Sequence, residues 1–330
     1  MADRRNNTLD ILKLLASYMV VFIHVMFWGR IGVIVDALAR FAVPLFFLVS
    51  GYYADNASPE KLRQRTYRLM RMLILASLAY VVYDVFWLFL DQGTQEVIRY
   101  FQAYTDPRNL LELLVFNSAV HTAHLWYLLA GIYVYGIFCM VKTHEVPTKV
   151  LLAAAILLLT LHLALGEFLA VFHVVLPIQR VRNFALTGLP FFCFGMIANR
   201  YQQKIKMISA GTIVAFILIG ALETVLSRYF FGKNELYIGT LLILVSLVAI
   251  FIKYPDRYYP PRLLALTGCS TYIYLCHPMI AALLWRVYAM LGVAYGDSFA
   301  LQMIHPLIVC VLSTGLAYAV IRTKQKQTMT

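Results

Sequence analysis

Charge is what this sequence has least of. Asp, Glu, Lys and Arg make up 13% of its 330 residues, against roughly 25% in a typical soluble domain. With 62% hydrophobic residues and a mean hydropathy of +0.74, the chain has too much apolar surface for one water-soluble core. That excludes an ordinary soluble enzyme and leaves a polytopic membrane protein. Cysteine is also scarce. Cys139, Cys193, Cys269, Cys276 and Cys310 all lie in apolar segments and none forms a CxxC pair. They read as small buried hydrophobes, so neither a disulfide framework nor a metal site is expected. There is no long internal repeat, no low-complexity tract and no polar stretch long enough to fold alone. A single membrane domain over 1–330 is therefore expected. No small-residue cleavage site follows the first apolar run, which reads as a retained first span rather than a signal peptide.

What is present is a series of apolar runs. A span needs about 20 apolar residues. Candidates lie near 9–29, 36–54, 70–90, 123–141, 149–166, 184–199, 207–227, 236–252, 263–290 and 301–321. The expected fold is an all-α bundle of about ten transmembrane helices, which puts both termini on one side. Basic residues choose the side. With the N-terminus inside, the inner segments carry 18 of the 28 Lys and Arg residues, five of them in the 61–71 cluster. The outer segments carry nine: Arg30, Arg40, Arg99, Arg108, Arg180, Arg182, Arg228, Lys233 and Arg286. Cytoplasmic loops favour Lys and Arg, so both termini of this multi-pass membrane protein are expected in the cytoplasm. The net charge of +12 mostly reflects this bias. It is split among short loops and does not indicate a nucleic-acid partner. The longest loop, about 91–122, falls outside and is expected to fold back over the membrane face.

The first span, LDILKLLASYMVVFIH, carries Asp10, Lys13 and His24. Lys13 and His24 are eleven residues apart, so at about 100° per residue they share one helix face, separated by roughly 16 Å. Asp10 and Ser17 fall within about 40° of His24 on that face. Ionisable groups at membrane depth are costly and usually face a cavity or one another. The stripe is therefore either an internal Asp10–Lys13 pair with a structural His24, or the wall of a polar tunnel.

Elsewhere the polar groups are sparser. His121 and His124 form HxxH, but two histidines alone do not make a metal site. Trp126 and Tyr127 read as part of an interfacial aromatic belt. His277 is open between a functional and a packing role. Glu223 and Arg286 lie in apolar surroundings as a possible ion pair.

The opening segment resembles the acyltransferase 3 family of integral membrane acyltransferases, which carries Arg or Lys, ten residues, then His; here these are Lys13 and His24. FAVPLFFLVSGYY (41–53) resembles the family's second span, and RLMR (68–71) its Arg-x-x-Arg element. HLWYL (124–128) and STYIYLCHP (270–278) resemble later segments. Two departures stand out. Lys13 lacks the bidentate fork of the Arg found in many members, and the esterase-like domain of larger members is absent. The chain is thus expected to work alone or with a partner.

The resemblance implies transfer of an acyl group, most often acetyl, from cytoplasmic acetyl-CoA to a hydroxyl of a surface polysaccharide or lipid-linked glycan. On that reading Arg68 and Arg71 bind the phosphates of the acyl-CoA, while Arg63 and Arg65 serve as cytoplasmic anchors. His24 is the general base or an acyl relay. Asp10 and Lys13 orient the stripe or bind the donor, and Ser50 either bonds a reacting group or packs as a small residue. Two other functions compete. The buried His, Lys and Asp would suit a transporter of a small polar solute or proton. The chain would otherwise be a membrane module for a partner enzyme, since related domains occur fused to amino-acid racemases.

Overall fold

The computed structural model describes residues 6–141 and 146–327. Three of the basic residues assigned to the inner side, Arg4, Arg5 and Lys142, lie outside the described residues. Among the described residues there are helices and turns and no strand. In chain order the α-helices are α1 (Asn7–His24), α2 (Gly29–Leu38), α3 (Ala42–Ala54) and α4 (Pro59–Gln92). They continue as α5 (Thr94–Thr105), α6 (Pro107–Phe116), α7 (Trp126–Val141), α8 (Thr148–Leu163), α9 (Leu169–Val171) and α10 (Leu189–Arg200). The rest are α11 (Gln202–Lys206), α12 (Ala210–Phe231), α13 (Ile238–Lys253), α14 (Pro261–Leu266), α15 (Ser270–Met290) and α16 (Phe299–Gln327).

Among the described residues, eight helical stretches are long and apolar enough to cross a membrane: Asn7–His24, Gly29–Ala54, Pro59–Gln92, Ala123–Val141, Thr148–Val171, Ala210–Phe231, Pro261–Met290 and Phe299–Gln325. The chain is thus an all-α, multi-pass membrane bundle. The other two expected spans coincide with shorter helices. Ile238–Lys253 has 16 residues, and Phe184–Gly188 is a π-helical turn that runs into α10.

Local chemistry explains the helix limits. α4 starts at Ser58, whose side chain accepts the Lys61 N–H, with Pro59 at its first position and Glu60 in its first turn. This is a favourable N-terminus for both capping and dipole. It ends at Gly93, at φ +79°, a conformation that costs glycine little. With 34 residues, α4 is about 50 Å long, well beyond the ~30 Å of a bilayer core. Its surplus is the charged first third, where Lys61, Arg63, Arg65, Arg68 and Arg71 lie.

The 91–122 segment is mostly helical rather than an open loop. α5 and α6 are short and amphipathic. Ile98 and Phe101 on α5 and Leu110, Leu111 and Leu114 on α6 are exposed. Tyr100 pins α5 to α4: its hydroxyl donates to Asp84 at 3.1 Å and its ring stacks on His121 at 3.8 Å. Burial, Tyr104 and Asp84 together push the Tyr100 phenol far above its usual range.

The helices group into two compact units, residues 6–46 with 201–327 and residues 47–200. In the first, α1 packs on α15, α15 on α16, and α12 on both α13 and α2. α12 and α13 cross at glycines: a Cβ at Gly239 would lie 2.2 Å from the Gly220 carbonyl oxygen. In the second unit α4 packs on α7 and α8 on α10. There Gly51 and Gly195 let α3 and α10 meet backbone to backbone, for a Cβ at either would fall 1.9 Å from a carbonyl oxygen of the other helix. Small residues at such crossings replace the hydrophobic drive that lipid removes.

Candidate active site

The first unit holds Asp10, Lys13 and His24. The N-terminus of α1 is fixed by Asn6, which accepts the Leu9 N–H and donates to the Phe251 carbonyl at 2.9 Å. Thr8 donates to the Tyr254 carbonyl at 2.5 Å. One turn further, Lys13 and Asp10 pair at 2.7 Å, both partly buried. Ser17 does not extend the stripe, because its buried hydroxyl donates back to the Leu14 carbonyl at 2.7 Å. The stripe is therefore two separate features: an ion pair at one end of α1 and His24 at the other.

His24 is the last residue of α1 and is exposed. Its neighbour is His277 of α15, with ring centroids 5.2 Å apart and planes at 44°. His277 is fully buried. Its Nδ1 faces two backbone carbonyl oxygens, Tyr274 at 2.9 Å and Ile273 at 3.1 Å. Carbonyls only accept, so Nδ1 carries the proton. The sequence offered His277 as one histidine in a family-like segment. Its pairing with His24, across more than 250 residues of chain, was not readable there.

The second unit holds Ser50, Arg68 and Arg71. Ser50 shares a hydrogen bond with Tyr127, whose ring packs on Phe47 at 4.7 Å. This ties the 41–53 segment to HLWYL. Trp126 is 6% exposed and lies against Phe47 and the Arg182 guanidinium. Trp126 is thus buried within its unit and Tyr127 half-buried against Phe47 and Ser50, not the surface belt that the sequence suggests. His124 packs on Tyr80 and His121 on Tyr100, so HxxH is split between two aromatic partners. Arg68 and Arg71 are exposed on α4, one turn apart. Arg65, one turn earlier, differs from its neighbours: its Nη1 is enclosed and has no hydrogen-bond partner among the described residues. An enclosed guanidinium donor without an acceptor needs an explanation. The anchoring role assigned to Arg65 from sequence does not supply one.

One charged cluster escaped the sequence reading. Asp36 is fully buried in the first unit and lies 2.5 Å from Arg40, 3.5 Å from Lys233 and 3.8 Å from Arg228. Arg40 also reaches Glu235 at 2.8 Å. Beside them Tyr237 accepts the Asn234 N–H at 3.0 Å. Arg40 is thus an internal ion-pair partner rather than a loose outer charge, although its i,i+4 spacing from Asp36 was a readable signal. Glu223 bonds Ser227 and the Gly239 N–H.

A family model described as an acyltransferase domain matches residues 6–322. A serine/alanine racemase from Enterococcus gallinarum is 25% identical over 311 residues, which cover 84% of this chain. The same match covers 41% of that protein, so the chain spans less than half the length of this curated relative. No solved structure matches. With the family match extending over nearly the whole chain, and the fold a multi-pass helical bundle, this protein belongs to the acyltransferase 3 family.

Proposed function

We propose that this protein is a membrane O-acetyltransferase that moves acetyl from cytoplasmic acetyl-CoA to a hydroxyl of a surface polysaccharide or lipid-linked glycan. The observation that carries the reading is His24: an exposed imidazole ending the first membrane helix, in contact with a buried histidine, in a chain of an acyltransferase family. The acceptor oxygen attacks the thioester carbonyl, the carbon–sulfur bond breaks, and the acceptor proton passes through His24 to the departing thiolate. In the relay variant the imidazole attacks the thioester, the carbon–sulfur bond breaks and CoA leaves as its thiol with the imidazole proton; the hydroxyl then attacks the acetyl-imidazole, the acyl–nitrogen bond breaks and the hydroxyl proton returns to the ring. Asp10 and Lys13, paired with each other, hold the start of α1. Ser50, engaged with Tyr127, positions that segment rather than the reacting atoms. No metal is required for either route.

The donor's phosphates are assigned to Arg68 and Arg71, with Arg65 added to the set because its enclosed donor lacks an acceptor. Arg71→Ala should weaken CoA binding by about ten- to a hundredfold, the loss of one charge-assisted hydrogen bond. Isothermal titration in detergent reads this directly, and unchanged affinity in a folded variant would remove Arg71 from the site.

A second reading draws on the racemase relative, of which this chain matches less than half: the membrane bundle would serve a partner enzyme. Reconstitution separates them. Purified protein in liposomes, given acetyl-CoA and candidate glycans, should release CoA thiol in step with acetyl transfer. Release only when a second protein is added would favour the partner reading. Solute flux without coenzyme would favour a transporter. Both termini are placed in the cytoplasm of a bacterial cell membrane, so that donor and arginines share one side.

A further inference from the structure

His277 precedes Pro278, and both lie inside α15. A proline in a helix has no N–H to give to the carbonyl four residues back. For Pro278 that carbonyl belongs to Tyr274, and it is the one His277 Nδ1 meets at 2.9 Å. The dipeptide thus releases a main-chain acceptor and fills it with the adjacent imidazole. The second His–Pro pair of the chain shows that this is not automatic. His305, before Pro306 in α16, turns its Nδ1 to the Tyr288 hydroxyl at 3.1 Å instead.

We propose that His277 is a positioning residue for His24, locked by Pro278 into the tautomer with the proton on Nδ1 so that its Nε2 accepts an N–H from the His24 ring. The lock matters because an imidazole has two nitrogens, and only one can meet the acceptor hydroxyl as a base. With one His24 nitrogen held as a donor to His277, the other is left with its lone pair. His277 is buried and its Nδ1 is held by two carbonyls, while His24 is exposed with its ring centroid 5.2 Å away. The inference rests on the reading of His24 as the proton-handling group.

The test reads the lock and the rate separately. In ¹⁵N-histidine-labelled protein in nanodiscs, without substrates, the resonances absent from His277→Gln identify His277. They should show one tautomer, with Nδ1 protonated. Pro278→Ala restores a competing backbone N–H for Tyr274, and a second tautomer should appear. Alanine favours the helix, so this variant keeps the test open if the buried His277→Gln fails to fold. Both variants should lower kcat by about 10²-fold, as misplacement of a reacting group does, with KM for acetyl-CoA little changed. A wild-type His277 protonated on Nε2 would overturn the lock whatever the activity. A single tautomer in Pro278→Ala would overturn the lock by Pro278, and full kcat in a folded His277→Gln, or in Pro278→Ala showing two tautomers, would overturn the positioning role. If His24→Gln kept full turnover, the role of His24 would fail and positioning with it, whereas the spectrum would still decide the tautomer by itself.

Discussion

Replacing His24 by glutamine is expected to cost at least 10²–10⁴-fold in acetyl transfer, the usual contribution of a general base. The loss should be complete if the imidazole is an acyl relay. Glutamine keeps a hydrogen-bonding group of similar reach and removes basicity, so it separates chemistry from packing. Because His24 is exposed at the end of α1, the change leaves no buried cavity and the protein should fold. Affinity for CoA should persist, since it is assigned to the α4 arginines. Intact-mass measurement after incubation with acetyl-CoA alone then distinguishes the two routes. An adduct in wild type that is missing in His24→Gln identifies a relay, and an unmodified wild type identifies direct attack. Near-normal turnover in a folded His24→Gln preparation would remove His24 from the chemistry.

The parts of this molecule that could be read from sequence are those determined by local pattern. The long apolar runs became helices because about 20 residues of one character leave a bilayer segment no other way to satisfy its backbone. The Asp10–Lys13 pair followed from i,i+3 spacing. What escaped depends on partners distant in the chain. His277 looked like any histidine in an apolar span, because its meaning lies in His24, and the effect of Pro278 shows only once the freed carbonyl is located. Ser17 sat on the right face by angle, yet a serine in a helix has its own backbone as a nearby acceptor, and that contact won. Trp126 and Tyr127 looked interfacial by residue type, and Phe47, Ser50 and Arg182 draw them inward. Asp36 and Arg40 have a readable i,i+4 spacing, but Arg228 and Lys233, which complete the cluster, lie nearly 200 residues away and no local pattern joins them.

Asp36 and Arg40 are the residue pair with the largest expected effect on stability. Arg40→Met should destabilise the protein by about 3–5 kcal/mol, the cost of leaving a buried carboxylate without its principal partner. Asp36 is fully buried, and its remaining cations lie 3.5 and 3.8 Å away, too far for the 2.5 Å contact that Arg40 makes. Glu235 loses its bond to Arg40 in the same substitution. The pair is not thereby shown to be stabilising as a whole, because removing two charges from water is itself expensive. The double variant Asp36→Leu with Arg40→Met should therefore regain most of what Arg40→Met loses, through a coupling of several kcal/mol in the double-mutant cycle. Reversible SDS titration of the four proteins measures each term. A loss below about 1 kcal/mol for Arg40→Met, the range of surface ion pairs, would mean that water or lipid headgroups reach Asp36 and that the cluster is a solvated one.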